Sequence, residues 1–198
     1  MKRKAIFCIF SLALVACISI GATLAWLTSS TDSIVNTFTV GKITLTLDEA
    51  KTVRNVVQGD ERTSEGNEYV LYKDAVLPKD PTVTVGSESQ ACYVFMSCKI
   101  SDELKDITDI NFDTTHWLSV GDDVYVYSDN GETATIVSYN TEAQKLPSLF
   151  TTVTVIDECP DNITSDTNIT VKALAYQSND SSTLNTATEF AKETLLTA

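Results

Sequence analysis

The amino-acid sequence predicts an all-β fold, an antiparallel β-sandwich with a short C-terminal helix. Three observations predict it. Beyond Leu27 the dominant period of the apolar residues is two, turn residues separate these short runs, and only the C-terminal segment has helical spacing. Repeated short strands joined by turns favour antiparallel pairing over a parallel sheet with crossover helices.

The N-terminal segment has the composition of an export signal helix. Lys2, Arg3 and Lys4 form a basic head, and residues 5–27 are apolar with few interruptions. A basic head before an apolar run of this length is typical of a secretion signal or a membrane anchor. We therefore expect residues from Trp26 onward to lie outside the cytosol, in a secreted or surface-attached protein.

Three interpretations of this segment stay open. A signal peptidase that cuts between Ala25 and Trp26 finds small residues at the positions it requires. Cys17 ends a lipobox-like run and is a candidate for lipidation. An uncleaved helix is also long enough to span a bilayer. The first interpretation predicts a signal peptide over 1–25, an N-terminal segment over 26–40 and a sandwich domain over 41–198.

The charge of the chain limits its partners. It has 27 acidic and 14 basic residues and a formal charge of −13. Removal of residues 1–25 takes away three basic residues and no acidic one, which leaves a charge of −16. Such a surface repels nucleic acid and anionic lipid. We expect no nucleic-acid partner, and contact with the membrane only through the signal segment.

The predicted strands follow one another along the chain. Residues 42–47 alternate apolar and polar side chains, as in a half-buried strand. The segment 91–100 is apolar on both faces, which predicts a central strand. Asp129, Asn130 and Gly131 predict a tight turn between two strands. The remaining strands are predicted at 81–85, 149–156 and 168–176.

Three segments depart from this pattern. Residues 101–110 are either a helical turn capped by Ser101 or an exposed loop. Residues 54–68 are charged and without a period, which predicts a mobile surface loop. The tail 185–198 predicts a helix that covers the sheet. Its predicted capping box is Thr186 with Glu189, and its predicted apolar face is Ala187, Phe190 and Ala191.

The sequence contains no recognisable catalytic, cofactor or metal site. His116 is the only histidine, so no zinc site with two histidines can form. We interpret the acidic segments 121–123 and 157–166 as solvated loops rather than calcium sites. Cys92, Cys98 and Cys159 remain after signal removal; Cys159 could pair with one of the other two, but the odd count favours free, buried and inert thiols. We therefore predict that the protein is not an enzyme and needs no cofactor.

Three blocks of the sequence resemble the TasA/camelysin family of exported proteins from Gram-positive bacteria, whose signal peptides are of the SipW type. The first is "GATLAWLTSSTDSIVNTFTVGKITLTLDEA", which contains the cleavage site and the first alternating strand. The second is "LPKDPTVTVGSESQACYVF", and the third is "ITVKALAYQSNDSSTLNTATEFAKE". The resemblance spans residues 20–193.

This resemblance implies a jelly-roll β-sandwich, export through a SipW-type signal peptidase, and a structural role in fibres of the extracellular biofilm matrix. It also implies that residues 26–40 act as a donor strand that completes the sheet of a neighbouring subunit, with Gly41 as the hinge. The partners would be further copies of the chain and other matrix proteins. The apolar donor residues would be Trp26, Leu27, Ile34, Val35 and Phe38.

Two alternative functions remain. One is a camelysin-like surface metallo-endopeptidase, which the family name suggests and the single histidine disfavours. The other is a monomeric cell-surface adhesin that binds ligands through the loops of an acidic sandwich.

Overall fold

A computed structural model describes residues 41–159, 167–178 and 180–197. Over these residues the chain is mostly β-strand with a C-terminal helix, which confirms the predicted all-β class. The strands are β1 Leu45–Val53, β2 Val56–Thr63, β3 Val76–Pro78, β4 Thr82–Val85, β5 Cys92–Ile100, β6 Thr108–Ile110, β7 Trp117–Gly121, β8 Val124–Tyr127, β9 Gln144–Lys145, β10 Thr152–Val155 and β11 Ile169–Gln177. The helices are the single turn α1 Asp102–Lys105 and the longer α2 Leu184–Leu196.

The strands form three sheets, and every strand pair in them is antiparallel. Sheet A has the order β2-β1-β4-β9, sheet B the order β3-β10-β6, and sheet C the order β11-β5-β8-β7. Non-consecutive neighbours such as β1 and β4 show that the chain crosses between sheets repeatedly. This arrangement agrees with the predicted sandwich.

Two apolar cores lie on opposite faces of sheet C. The sandwich core joins sheet C to sheets A and B, and Val85, Met96 and Val153 represent the three sheets in it. The second core lies between sheet C and α2, where Phe95 and Val126 meet Ala191. Sheet C is therefore the middle layer of the described residues, and its strands are apolar on both faces.

Strand β5 is central, as predicted. Its residues from Cys92 to Cys98 are all buried. Met96 and its alternate neighbours face the sandwich core, whereas Tyr93 and Phe95 face α2. The period of two in the sequence thus identified both faces of this strand.

The C-terminal helix is observed, but its predicted cap and one face residue are wrong. Thr186 and Glu189 lie inside α2, whose N-cap residue is Thr183, without a side-chain capping bond. Side-chain capping is found instead at the 3₁₀ turn Ser181–Thr183, which directly precedes α2. There Asp180 accepts a bond from the Ser182 amide. The buried face of α2 is Ala187, Ala191 and Leu195, a spacing of four residues.

Phe190 lies at the margin of that face and is 47% exposed. Its ring packs edge-to-face on Tyr176 at 5.7 Å between ring centroids. The buried positions of α2 include two alanines, which let the helix lie close to sheet C. A large ring does not fit between the helix and the sheet.

The predicted loop 54–68 is wrong over much of its length, because β2 occupies 56–63. This strand pairs with β1 through a turn at Arg54 and Asn55, which have φ values of 47° and 65°. The side chain of Asn55 ties this turn to the segment after β2, because it donates to the Val70 carbonyl and accepts from the Val70 amide. The strand lacks apolar alternation because it lies at the edge of sheet A with most of its residues exposed.

The predicted hairpin around 129–131 is also corrected. Strand β8 pairs with β7 through a turn at Asp122 and Asp123, with φ values of 57° and 56°. The chain does turn near Gly131, but the segment that follows contributes only an isolated bridge from Val137 to Cys92. Aspartate tolerates the left-handed backbone conformation, so Asp122 and Asp123 can form the turn between β7 and β8. Asn-Gly is the stronger turn signal in a sequence, and the prediction followed it.

Residues 101–110 form the helical turn α1 followed by β6, so the helical alternative is the observed one. Ser101 is the N-cap residue of α1, yet its hydroxyl donates to the Asn168 carbonyl at 2.8 Å instead of capping the helix. Neither α1 nor α2, the α-helices of the described residues, is long and apolar enough to cross a bilayer.

Candidate functional site at an open sheet edge

Strand β11 is an edge strand of nine residues. Its nine residues pair with β5 over their whole length, from Ile169 opposite Ile100 to Gln177 opposite Cys92. No other strand of the described residues pairs with its second edge. Alternate backbone N–H and C=O groups of β11 therefore point away from β5, without a partner in sheet C.

The side chains of β11 are half-buried on both faces. Val171, Ala173 and Ala175 pack against the sandwich core. Leu174 and Tyr176 pack against the core under α2. None of the nine residues is fully buried, in contrast to the strand beside it. An edge with apolar side chains on both faces has the chemical character of an interior strand whose neighbour is lacking.

A second free edge lies close by in sheet A. Within the described part of the chain, Leu45–Asp48 of β1 pair only with β4, because pairing with β2 begins at Glu49. Strand β1 is in contact with β11. Ile43, Leu45 and Leu47 are half-buried against the same core as the sandwich-facing residues of β11. The two free edges thus flank one side of the sandwich core.

This arrangement is suited to strand addition rather than to catalysis. An extended segment beside β11 would satisfy its outward backbone groups, and alternate side chains of that segment would contact both cores. Neither edge brings together a nucleophile and a base. The candidate site is therefore a binding edge, with β11 as its main element.

Most of the predicted assembly residues lie outside the described part of the chain. These are the cleavage pair Ala25 and Trp26 and the donor residues Leu27, Ile34, Val35 and Phe38. Gly41 is described, and its φ is not in the left-handed region. A Cβ atom there would lie 2.6 Å from Cγ of Gln90, so the side chain of Gln90 limits the space at this position. Its role as a hinge stays a prediction.

The three cysteines of the described residues are free thiols, as expected. Burial raises the pKa of Cys92 to about 11 and that of Cys98 to about 12. Both lie on β5 and face the sandwich core, whereas Cys159 is half-buried. A thiol with a raised pKa is a weak nucleophile at neutral pH, so β5 carries two inert thiols.

His116 has a structural partner. Its Nδ1 lies 2.6 Å from Oδ2 of Asp113, and Oδ1 of Asp113 accepts bonds from the amides of Thr115 and His116. Burial acts to raise the pKa of Asp113, but the His116 side-chain bond and the two backbone bonds together outweigh it and lower the pKa. The interactions close the turn before Trp117, whose Nε1 donates to the Pro147 carbonyl. In the described ranges, no three His, Cys, Asp or Glu side chains are grouped so as to hold a metal ion.

The sequence located β11 but not its place at an edge. Residues 168–176 were predicted as a strand like the others, and nothing in their order distinguishes an edge from an interior position. The informative signal was the mixture of small and large apolar residues on both faces, at Ala173, Leu174 and Ala175. That pattern indicates protein on both sides of the strand without indicating what pairs with its edge.

Comparisons with known proteins found no relative. No family model matches the chain, and searches of the curated proteins and of the solved structures likewise found no match.

Proposed function

We propose that the protein is an exported structural component of the cell surface or biofilm matrix, which assembles into fibres. In this proposal a SipW-type signal peptidase cuts between Ala25 and Trp26. The freed segment 26–40 then adds as a strand to the open edge of a neighbouring copy. The sandwich would have jelly-roll topology, and the partners would be further copies and other matrix proteins.

The observation that carries the proposal is the edge of β11. Among the described residues no strand pairs with the outer edge of β11, and an open edge with apolar side chains on both faces is costly to leave in water. Proteins normally shield such an edge with a charged residue, a proline or a bulge. In β11 only Lys172 is charged, and the strand contains neither proline nor a register shift.

The composition of residues 26–40 supports the match. Ile34 and Val35 are adjacent, so a strand that contains them presents apolar side chains to both faces. Phe38 follows Ile34 on the same face. A strand beside β11 meets the sandwich core on one face and the α2 core on the other, and these side chains suit both.

Donation from one copy to the next is a heterologous contact. The surface that gives the strand differs from the surface that receives it, so the contact repeats without closing and yields a filament. If the same segment instead pairs with β11 of its own subunit, the protein stays monomeric, and this is the competing arrangement.

The first experiment compares two chains, one that begins at Trp26 and one that begins at Lys42. We expect filaments by negative-stain electron microscopy from the first and folded monomers from the second. Filaments from the chain that begins at Lys42 would exclude the donor role of residues 26–40.

A second experiment tests the receiving edge. Ala173→Lys places a charge on the sandwich-facing side of β11, and we expect it to abolish filaments. Thr170→Lys is the matched control, because Thr170 is already exposed on the same strand. Equal filament yield from the two variants would show that β11 is not the acceptor.

A further inference from the structure

A partly buried polar cluster connects three segments of the chain. It consists of Glu49 in β1, Asn67 in the connection between β2 and β3, and Lys79 directly after β3. Lys79 Nζ donates to Glu49 Oε2 at 2.6 Å, and Asn67 Nδ2 donates to Glu49 Oε1 at 2.8 Å. One carboxylate thus holds an amine and a primary amide side by side.

The ion pair between Glu49 and Lys79 has little contact with water. The side chain of Glu49 is 7% exposed and that of Lys79 is 12% exposed. The ring of Tyr69 lies beneath the ammonium, with Nζ 6.0 Å from the ring centroid. Burying an ion pair has a high desolvation cost, so a cluster that serves only stability is more readily made from apolar residues.

The amide of Asn67 is held in a definite orientation. Its Oδ1 accepts a bond of 2.7 Å from the backbone amide of Thr52. Its Nδ2 also donates to the Ala50 carbonyl at 2.9 Å. A backbone N–H aimed at a carbonyl oxygen stabilises the negative charge that develops there when a nucleophile attacks the carbon.

We propose that Lys79 and Asn67 react to form an intramolecular isopeptide bond, with Glu49 as the proton-transferring residue and the Thr52 amide as the oxyanion donor. The nucleophile and the leaving nitrogen both contact the carboxylate of Glu49. A side chain that accepts a proton from one and returns it to the other is a general acid–base catalyst.

The reaction balances without a cofactor. Lys79 Nζ gives a proton to Glu49, and the free amine attacks Cγ of Asn67, whose carbonyl electron pair moves onto Oδ1. The pair then returns, the Cγ–Nδ2 bond breaks, and Nδ2 leaves as ammonia with the proton from Glu49. The new amide nitrogen releases its extra proton to the carboxylate or to the ammonia. One C–N bond forms, one breaks, and no electron is gained or lost.

Two surrounding features favour the reaction. A cavity of about 1040 Å³ is lined by Asn67, Tyr69 and Lys79, which gives the ammonia a route out. Tyr69 stays neutral, because burial and the charge of Glu49 raise its pKa to about 12. Its hydroxyl is engaged with the Pro78 carbonyl at 2.8 Å, so it does not compete for the proton.

The test is a tryptic digest of protein purified from cells that express the full chain, read by mass spectrometry. Without the bond, trypsin cuts after Lys73 and Lys79 and releases peptides 63–73 and 74–79. With the bond, Lys79 resists cleavage, and peptide 63–73 is joined to 74–99 with the loss of one ammonia molecule. We expect the joined peptide to replace the separate ones.

Three variants assign the roles, and one serves as a matched control. Lys79→Arg, Asn67→Ala and Glu49→Gln should each abolish the joined peptide. Lys51→Arg should retain it, because Lys51 pairs with Glu61 on the exposed surface of the same sheet. Retention of the joined peptide in Glu49→Gln would overturn the role of Glu49.

The wild-type digest decides the proposal even if a variant fails to fold. Separate peptides 63–73 and 74–79 of full mass would overturn it. Loss of ammonia from peptide 63–73 with Lys79 still cleaved would also overturn it, because that result indicates a succinimide at Asn67.

Discussion

Strands β5 and β11 have the same length and pair with each other residue for residue, yet their environments are opposite. Seven of the nine residues of β5 are buried, whereas none of those of β11 is. Phe95 is 0% exposed, and Leu174 opposite it is only half-buried. The comparison indicates that the side chains of a strand become fully buried only when strands pair with both of its edges and other elements pack on both of its faces.

The largest expected difference between the two strands is in amide hydrogen exchange. We expect the amides of β5 to be protected throughout, and alternate amides of β11 to exchange at least ~1000-fold faster, because local opening there needs far less free energy than global unfolding. Exchange measured by NMR or mass spectrometry on the monomer checks this. On assembly, the fast amides of β11 should become slow.

Uniform protection of β11 in a protein proven to be monomeric would contradict this expectation. It would mean that another part of the same chain, such as residues 26–40, already covers the edge.

Side-chain truncation gives the next largest contrast. Phe95→Ala removes a fully buried ring and should lower the free energy of unfolding by ~3–5 kcal/mol. Leu174→Ala, at the paired position, should lower it by less than half as much because the side chain already contacts water. Urea unfolding of both variants measures the two values, and equal losses would show that β11 is covered.

Alkaline pH should weaken the protein through the thiols of β5. Burial raises the pKa of Cys92 to about 11 and of Cys98 to about 12, from an ordinary value of 9.0. The stability they contribute is complete below pH 9.0 and is lost as pH rises toward those values, since the unfolded chain ionises first. Each thiol lowers the free energy of unfolding by at most ~1.4 kcal/mol per pH unit.

Unfolding curves at several pH values check this dependence. The double variant Cys92→Ala with Cys98→Ala should have a shallower slope between pH 9 and 10. Above pH 10 Tyr69 and Tyr125 add to the slope, because burial raises the pKa of each to about 12. An unchanged slope in the double variant would assign the effect to other groups.

The smallest expected effect is at the margin of α2. Phe190→Ala removes a ring that is 47% exposed and contacts Tyr176 edge-to-face, so we expect a loss of ~1 kcal/mol. Ala191→Asp, one residue further along, places a charge in the fully buried core and should destabilise the protein much more. Thermal unfolding compares them, and the reverse order would mean that the faces of α2 are assigned wrongly.

The sequence predicted those elements whose surroundings impose a regular pattern. Strand β5 is covered on both faces and paired on both edges, so its period of two reported its position directly. Strand β2 was missed because it lies at an edge with most residues exposed, and nothing there selects apolar alternation. Phe190 was wrongly assigned to the buried face of α2, because helical spacing indicates which side of a helix is apolar but not how wide the buried stripe is.

The polar clusters were harder still to predict. Glu49, Asn67 and Lys79 lie on three different segments, and only the fold brings them to one carboxylate. Short-range patterns in a sequence report turns and periods, whereas contacts between distant segments depend on sheet order. The position of β11 at an edge is a fact of this second kind.

Helix α2 covers one face of sheet C, and this limits the kind of strand that could pair beside β11. Most extended segments of secreted proteins are amphipathic, with polar side chains at every second residue. Beside β11 such a segment would turn those polar groups toward either the helix or the sandwich interior, where they lose their water. If strand addition occurs as proposed, a strand with polar side chains at every second residue would therefore bind beside β11 poorly, because those side chains would lose their water.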